Sequence, residues 1–597
     1  MNPLSPHMAR IVLSLALLLT LAVPALHAQP RDASPQAQLK ALLDDDLTAS
    51  RRRFPTFAAI RGIPGYLKLL PDMSLAELDR ERARERAALG RLKRMDARAL
   101  HGQERISYEL LLDKMERAVE RQQFPDADAL VFSTLGGPQN MLARAGELTP
   151  LRKEQDYRDY VTRIRATPRY VDQVIERSKL GMKSGWMSPR PVLDRIVAAI
   201  DAHMVSEADK SPLMVPFTRK IAGIPEQRIG AIAADARRAV MDDYQPALKR
   251  FREFIQAEYR PKAPELAGLG AYPGGDRYYE YLIRSNIIRG VSAKEIHEIG
   301  VAEIRRLRGE IGEIAKAVGF QGSTDQFIEH VRTDPKFFFD SDAEELAAFR
   351  AMQPRMDPQL PNLFHAVPRM PYAVRIMSPS EAASSKAANY QIGSLELGTP
   401  GYFTAAPHEA KWHLETLFIH ELVPGHHMQG ARAAEIKGLH PWRSQAVFNV
   451  AYGEGWALYA ETLGYKLGFF TDPYQHYGNL QAQLFRAVRL VVDTGIHAYG
   501  WPRDKAIAYM EGEGGCDKEF AVSEVDRYFS NPSQALGYMM GMRKMLELRT
   551  RAEKALGPKF DLKDFHAVLI DNGSMPLGVL EKVVDEWIAR GGGANNP

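Results

Sequence analysis

The stretch His420-Glu421-Leu422-Val423-Pro424-Gly425-His426-His427 decides how this chain is read. Leu414, Leu417, Phe418 and Leu422 recur at helical spacing around His420. That periodicity predicts a helix that carries His420 and Glu421 into a core. An adjacent His-Glu pair suits zinc hydrolysis: the imidazole binds the metal and the neighbouring carboxylate faces the metal's water. The usual pattern places a second His four residues on, on the same helix face. Position 424 is Pro, so that pattern fails here. On an unbroken helix His426 would lie about 240° round from His420, and His427 would return to that face about 10 Å further along. Neither position suits a shared ion. Pro424 removes a backbone donor and Gly425 admits unusual dihedrals, so a two-residue bulge is expected there. The remainder then reads His-Glu-Leu-Val-His, with His426 as second ligand and His427 as a neighbour behind the ligands or in the substrate cleft. The plain alternative is a helix end whose histidines sit at the last carbonyls.

A catalytic zinc needs a further protein ligand. Glu454 lies early in an apolar helical pattern running to Leu467, among Trp456, Leu458 and Tyr459. A carboxylate is costly to bury in such company without a partner, and a metal would be one. Glu461, two turns on, is the candidate for supporting a ligand from behind. His420, His426 and Glu454 together make two imidazoles and a carboxylate, a set that suits one Zn2+ per chain. His408-Glu409 with His413 is a decoy, since its spacing is five and it follows Pro407. Arg489, Asp493 and His497 are spaced by four and share a helix face. Asp493 orienting His497 toward an oxyanion is one reading; an intrahelical ion-pair stripe is the other. Gln534 and Tyr538 share a face in the same way, and a Tyr hydroxyl can stabilise a tetrahedral intermediate. Arg543 or Lys544 are candidates for a substrate C-terminal carboxylate, against the plainer reading of surface solvation.

Outward from this region the chain reads as predominantly α. Ser74 with Glu77 and Ser292 with Glu295 are capping boxes. Ile106, Leu110, Leu111, Met115 and Val119 repeat at helical spacing, as do Tyr157 to Leu180 and Ile224 to Tyr259. Ile296, Ile299, Leu307, Ile311, Ile314 and Val318 line one face of a long helix. The β signal is confined to Tyr372 to Met377 and Asn389 to Leu397, which predicts one small sheet beside the His-Glu helix. Gly398-Thr399-Pro400-Gly401 then breaks the chain. The Gly/Pro-rich Gly268 to Gly275 suggests a boundary between an N-terminal helical region, 29–270, and a zinc-binding region, 271–597, both packed in one helical unit.

Residues 1–28 differ from the rest. Arg10 precedes the apolar run Ile11 to Ala25, closed by Leu26-His27-Ala28. This reads as a signal peptide removed near Ala28, giving a periplasmic or secreted protein with no membrane span in the mature chain. The 597 residues carry 78 Lys+Arg against 74 Asp+Glu. That balance makes no case for nucleic acid. The single cysteine, Cys516, cannot form an internal disulfide, and its neighbours Gly514, Gly515 and Asp517 offer no base for a nucleophile. Nothing in the sequence specifies an oligomeric state.

The run Glu421 to Gln429 after His420, with Gly453 to Tyr459 (Gly-Glu-Gly-Trp-Ala-Leu-Tyr), resembles the bacterial domain-of-unknown-function 885 family. Gly274 to Leu307, Arg489 to Tyr509 and Glu524 to Arg549 match it too, so the resemblance spans most of the mature chain. The family is similar to the largely helical zinc carboxypeptidases and oligopeptidases of the gluzincin type. The resemblance implies a large helical metallopeptidase-like fold, His420, His426 and Glu454 as ligands, Glu421 as base, and Tyr538 on a late helix as oxyanion donor. The family's Pro-Gly-Gln-Ala reads Pro532-Ser533-Gln534-Ala535 here, which keeps Gln534. The expected function is therefore an exported zinc-dependent peptidase acting on short peptides. The alternatives are a zinc hydrolase of other amides or esters, a metal-free peptide-binding protein, and a helical scaffold.

Overall fold

The computed structural model describes residues 34–593 except 135, 142–150, 219–223, 266–267, 378–387 and 396–397. The expected signal peptide lies outside the described residues. Among the described residues, no helix is long and apolar enough to cross a membrane.

The N-terminal part is helical, as its periodicity predicts. Ser74 caps Leu75–Arg94 by accepting from the Glu77 N–H. The stripe Leu110, Leu111 and Met115 is the buried face of Gly102–Arg121. Tyr157 to Leu180 is two helices, Glu154–Arg165 and Thr167–Ser184, with Pro168 at the start of the second. Ile224 to Tyr259 forms one rod in which α-helical Glu226–Arg238 and Gln245–Glu253 alternate with π turns Ala239–Tyr244 and Phe254–Tyr259. The Gly268 to Gly275 stretch holds a short turn, Leu269–Ala271, and the Leu269 N–H donates to His497. One hydrophobic cluster takes in Leu39, Val192 and Tyr259 on one side of that stretch and Leu417, Trp456 and Trp587 on the other.

Helix α1, Ala293–Ala317, carries the full capping box of Ser292 and Glu295 and buries Ile296, Leu307, Ile311 and Ile314. A three-stranded sheet follows: β1 Tyr372–Ile376, β2 Asn389–Gln391 and β3 Gly401–Ala405, in the order β1-β3-β2. β1 runs parallel to β3, with Tyr372 opposite Gly401; β2 runs antiparallel, with Tyr390 opposite Phe403, and forms an edge. The expected strand from Asn389 is thus shorter than its pattern suggests. The third strand begins at Gly401, where the sequence signals only a break.

The chain then enters α2, Leu414–Glu421, and α3, His426–Glu435. Next come α4, Val450–Leu463, and α5, Pro473–His497, against which α1 packs along its length. Helices α6, Lys518–Ser530, and α7, Gly537–Leu556, come later in the chain. Helices α4 and α7 cross almost backbone to backbone at Gly455 and Gly541. A Cβ on Gly541 would fall 1.9 Å from the Ala451 carbonyl oxygen and 2.7 Å from the Gly455 Cα. Among the described residues, the architecture is predominantly α with a single small sheet beside the His-Glu helix.

Candidate metal centre

The chain breaks between α2 and α3. The last helical residue is Glu421; Leu422 (φ −107°, ψ −108°), a cis Val423–Pro424 bond and Gly425 turn the backbone before His426 starts the next helix. This corrects the expected bulge within one helix, although His426 still arrives beside His420. Gly425 is required by close approach, because a Cβ there would lie 2.0 Å from the His420 carbonyl oxygen and 2.3 Å from that of Ile419. The turn is fastened from α4, where the Trp456 indole N–H reaches the carbonyls of Pro424 at 2.9 Å and Gly425 at 3.2 Å. Trp456 is two residues from Glu454, so the element that carries the carboxylate also holds the loop that aims the second imidazole.

The three donors converge. His426 Nε2 lies 3.3 Å from Glu454 Oε2, and His420 Nε2 lies 3.8 Å from the same oxygen. The donor atoms of all three residues lie within 4.8 Å of one another. In a tetrahedral zinc site with bonds of about 2.0–2.1 Å, neighbouring donors are about 3.4 Å apart, so small side-chain adjustments would close this set on an ion. His420 is buried, while His426 and Glu454 are partly open, so the cluster faces solvent on one side. Behind it, His420 Nδ1–H donates to Glu461 at 2.7 Å, leaving the Nε2 lone pair toward the cluster. Glu461 also accepts from the Thr416 hydroxyl at 2.8 Å and Asn479 at 3.3 Å. A carboxylate fixing the far nitrogen of a ligand His is the support that metal sites commonly use.

The electrostatics call for a cation. Burial alone would lower the His420 pKa, but Glu454 and Glu461 raise it to about 9. Burial opposes ionisation of Glu454, yet its hydrogen bonds and charge contacts with His420 and His426 hold it well below the usual carboxylate range. The residues present therefore fit a zinc ion in donor type, spacing and charge. Glu421, next to His420, is buried, and its carboxylate takes no hydrogen bond from the described residues. Tyr538 lies near Glu454 at the α4–α7 crossing; burial and the Glu454 charge both raise its pKa.

Other predicted residues lie elsewhere or are otherwise engaged. His427 faces the sheet: its Nε2–H donates to the Met370 carbonyl at 2.9 Å, and its Nδ1 accepts from the Tyr390 hydroxyl at 2.8 Å. Both nitrogens are used, and burial pushes its pKa down to about 4. It docks α3 on the sheet and has no free nitrogen for substrate. His497 is a second correction. Its Nδ1 accepts from the Leu269 N–H at 3.1 Å and its Nε2–H donates to the Tyr528 carbonyl at 3.0 Å, which leaves nothing for an oxyanion. Asp493 does not orient it; that carboxylate accepts from the Tyr279 hydroxyl and the Ser533 N–H. Gln534 accepts from Arg527, Arg543 pairs with Glu303, and Lys544 pairs with Glu547 and Glu581. Burial pushes the Cys516 thiol up to about 12, so it stays protonated. The decoy His413 hydrogen-bonds Glu409 at 3.3 Å.

The sequence reading missed Tyr390, Thr416, Asn479 and Arg486. Tyr390 stands on β2 close enough to Glu421 that burial and that charge raise its pKa. Asn479 carried no signal, because its partner Glu461 lies on another helix. Among the described residues a second group, His365 with Asp561 and Asp564, is also compact enough for an ion. His365 is exposed, and Asp561 is occupied as the cap of Leu562–Ile570.

The fold and site together define a largely helical protein with a two-histidine, one-glutamate cluster lying beside a small sheet. The chain belongs to the family described as "Bacterial protein of unknown function (DUF885)", whose model matches residues 55–584. Among solved structures it is similar to "the putative lipoprotein from Colwellia psychrerythraea", at 25% identity and a TM-score of 0.87 over 93% of this chain and 100% of that one. It is also similar in fold to "a putative lipoprotein of unknown function from Shewanella oneidensis", at 18% identity and a TM-score of 0.68 over 92% and 99% of the two chains. No curated protein matches the sequence.

Proposed function

We propose that this chain is an exported, zinc-dependent hydrolase that cleaves short peptides. The observation that carries the reading is the convergence of His420, His426 and Glu454, with Glu461 behind His420 and the unclaimed carboxylate of Glu421 beside it. Zinc held by those three residues would supply Lewis acidity, polarising a carbonyl and acidifying a water. Glu421 takes the proton of the attacking water and passes it to the leaving amine. Tyr538, kept protonated by its raised pKa, donates its hydroxyl to the carbonyl oxygen as charge develops there. Glu461 holds His420 in the tautomer that leaves Nε2 free. The edge strand β2, with Tyr390 near Glu421, offers main-chain groups to an extended peptide. The apolar leader, residues 1–28, supports export with removal near Ala28.

Elemental analysis of the purified mature protein, beside His426→Ala, His427→Ala and Glu454→Ala, tests the metal. The expected result is about one zinc per chain, lost with His426 or Glu454 and kept with His427. A mixture of short peptides, read by mass spectrometry with and without zinc, tests the activity. A wild-type protein that binds no zinc after reconstitution would overturn the hydrolase reading and favour metal-free peptide binding.

A further inference from the structure

Arg486 lies beside this cluster in a way that neither the ligands nor the base account for. It lies on α5, seven residues beyond Asn479, and hence on nearly the same helix face. Asn479 is the residue that steadies Glu461 behind His420. The Arg486 guanidinium carbon lies 5.8 Å from the centre of the Tyr538 ring. Tyr538 stands where α7 crosses α4, one residue from Gly537, which presses on Ala451, and three from Gly541, which presses on Gly455, the neighbour of Glu454. The Arg486 charge is the least of the influences on the His420 pKa, which it lowers. The Tyr538 ring contact and the helix face shared with Asn479 therefore set this guanidinium beside the metal cluster.

Arg486 has no acidic partner among the described residues. Its Nη1 donates to the Ala482 carbonyl of its own helix at 3.2 Å, and its Nε is buried with no partner. Its guanidinium carbon also lies 5.5 Å from the centre of the Phe485 ring. Its neighbour Arg489 contrasts with it, being held by Glu524 at 2.9 Å and by the Tyr528 hydroxyl at 3.1 Å. Arg543 and Lys544, the basic residues that sequence reasoning raised for this task, are neutralised by Glu303, Glu547 and Glu581. A half-buried guanidinium with unused donors pays part of its desolvation cost uncompensated, and a bound anion relieves it. Its planar fork matches a carboxylate with two parallel hydrogen bonds.

We propose that Arg486 binds an anion and seats a substrate carboxylate beside the His420–His426–Glu454 cluster. That the carboxylate belongs to a peptide rests on the peptidase reading above. It is either the α-carboxylate of a peptide C-terminus, which makes the chain a carboxypeptidase, or an acidic side chain next to the scissile bond.

Calorimetric titration of the metal-free mature protein tests this without turnover. Three probes separate the sources: N-acetylated trialanine, its C-terminal amide, and an amide of the same length ending in glutamate. Wild type is expected to bind a carboxylate probe about tenfold to a hundredfold more tightly than the neutral amide. A preference for the free acid assigns the C-terminus; a preference for the glutamate amide assigns an acidic side chain. Arg486→Gln should erase the preference, and Arg486→Lys, which keeps the charge without the fork, should retain part of it. A circular dichroism melt and zinc content like wild type show that the variants fold; if Arg486→Gln does not, Arg486→Lys decides. Equal affinity for all three probes in wild type, or a preference undiminished in the folded variants, overturns the proposal. If zinc-loaded wild type cleaves no peptide yet shows the Arg486-dependent preference, the peptidase reading fails and the anion site stands.

Discussion

Glu461 and Glu421 divide two tasks that a carboxylate can perform around one imidazole. Glu461 accepts from the far nitrogen of His420, while the Glu421 carboxylate is unclaimed. Glu461→Gln keeps an acceptor but loses the charge that makes the imidazole a stronger ligand. Zinc affinity, measured by competition with a chelator, should fall about 10–100-fold; unchanged affinity would reduce Glu461 to a packing role. Glu421→Gln should leave zinc content intact and lower peptide turnover about 10²–10⁴-fold. Full turnover by that variant would remove Glu421 as the base. At this scale, residues that lie close along the chain or follow a known spacing are also brought together by the fold: His420, His426 and Glu454, with Glu461 behind His420. The sequence misled at His497, whose partners Leu269 and Tyr528 are distant in sequence, and left open the place of His427, whose partners Met370 and Tyr390 are equally distant. A four-residue spacing shows that Asp493 and His497 share a helix face, but not which other element that face meets. Arg486 looked like any other basic residue on an amphipathic helix; what sets it apart is that no carboxylate among the described residues pairs with it.

Between α2 and α3, backbone geometry rather than a side chain positions the second imidazole. Gly425 lets the turn press onto the carbonyls of Ile419 and His420, and Trp456 ties the turn to α4. Both obstructing atoms are backbone, so a methyl at position 425 cannot be accommodated by a side-chain swing. Gly425→Ala should cost about 1–3 kcal/mol in urea unfolding and sharply reduce zinc content. Trp456→Phe removes the indole donor and takes from the buried Pro424 carbonyl its partner among the described residues, while the Gly425 carbonyl keeps the Gln429 N–H. A loss of about 1–3 kcal/mol is expected, with weakened zinc binding. Wild-type zinc affinity in both variants would mean that the turn does not set the ligand geometry. The elements themselves were largely readable: capping residues and apolar spacing anticipate α1, and β-branched and aromatic runs anticipate β1 and the start of β2. The helix break at Leu422 and strand β3 were not. Gly398-Thr399-Pro400-Gly401 marks a turn without revealing that the next residues pair with both β1 and β2.

For the whole molecule, two buried groups on α5 make folding depend on pH in opposite directions. His497 is sealed with both nitrogens engaged, and burial lowers its pKa from the ordinary 6.5 to about 4. Across that window the unfolded chain takes a proton that the folded chain refuses. The stability His497 contributes is therefore present above pH 6.5 and lost as pH falls toward 4. Asp493 is the reverse: burial raises its pKa from 3.8 to about 7, despite the Tyr279 and Ser533 hydrogen bonds. Its stability is present below pH 3.8 and lost as pH rises through 7, because the folded chain keeps a proton that the unfolded chain has released. Between pH 4 and 6.5 each contributes about 1.4 kcal/mol per pH unit, with opposite sign. His497→Gln should therefore lose less stability on acidification than wild type, with the difference reaching roughly 3 kcal/mol across the window. Asp493→Asn should lose more, by a similar amount, and the double variant should return to the wild-type slope whatever its absolute stability. Urea unfolding of metal-free protein at several pH values in this range measures all three slopes without proton release from zinc binding. Single-variant slopes that match wild type would mean that water reaches these groups in the folded chain, and that the junction of Leu269, α5 and α6 is open rather than sealed.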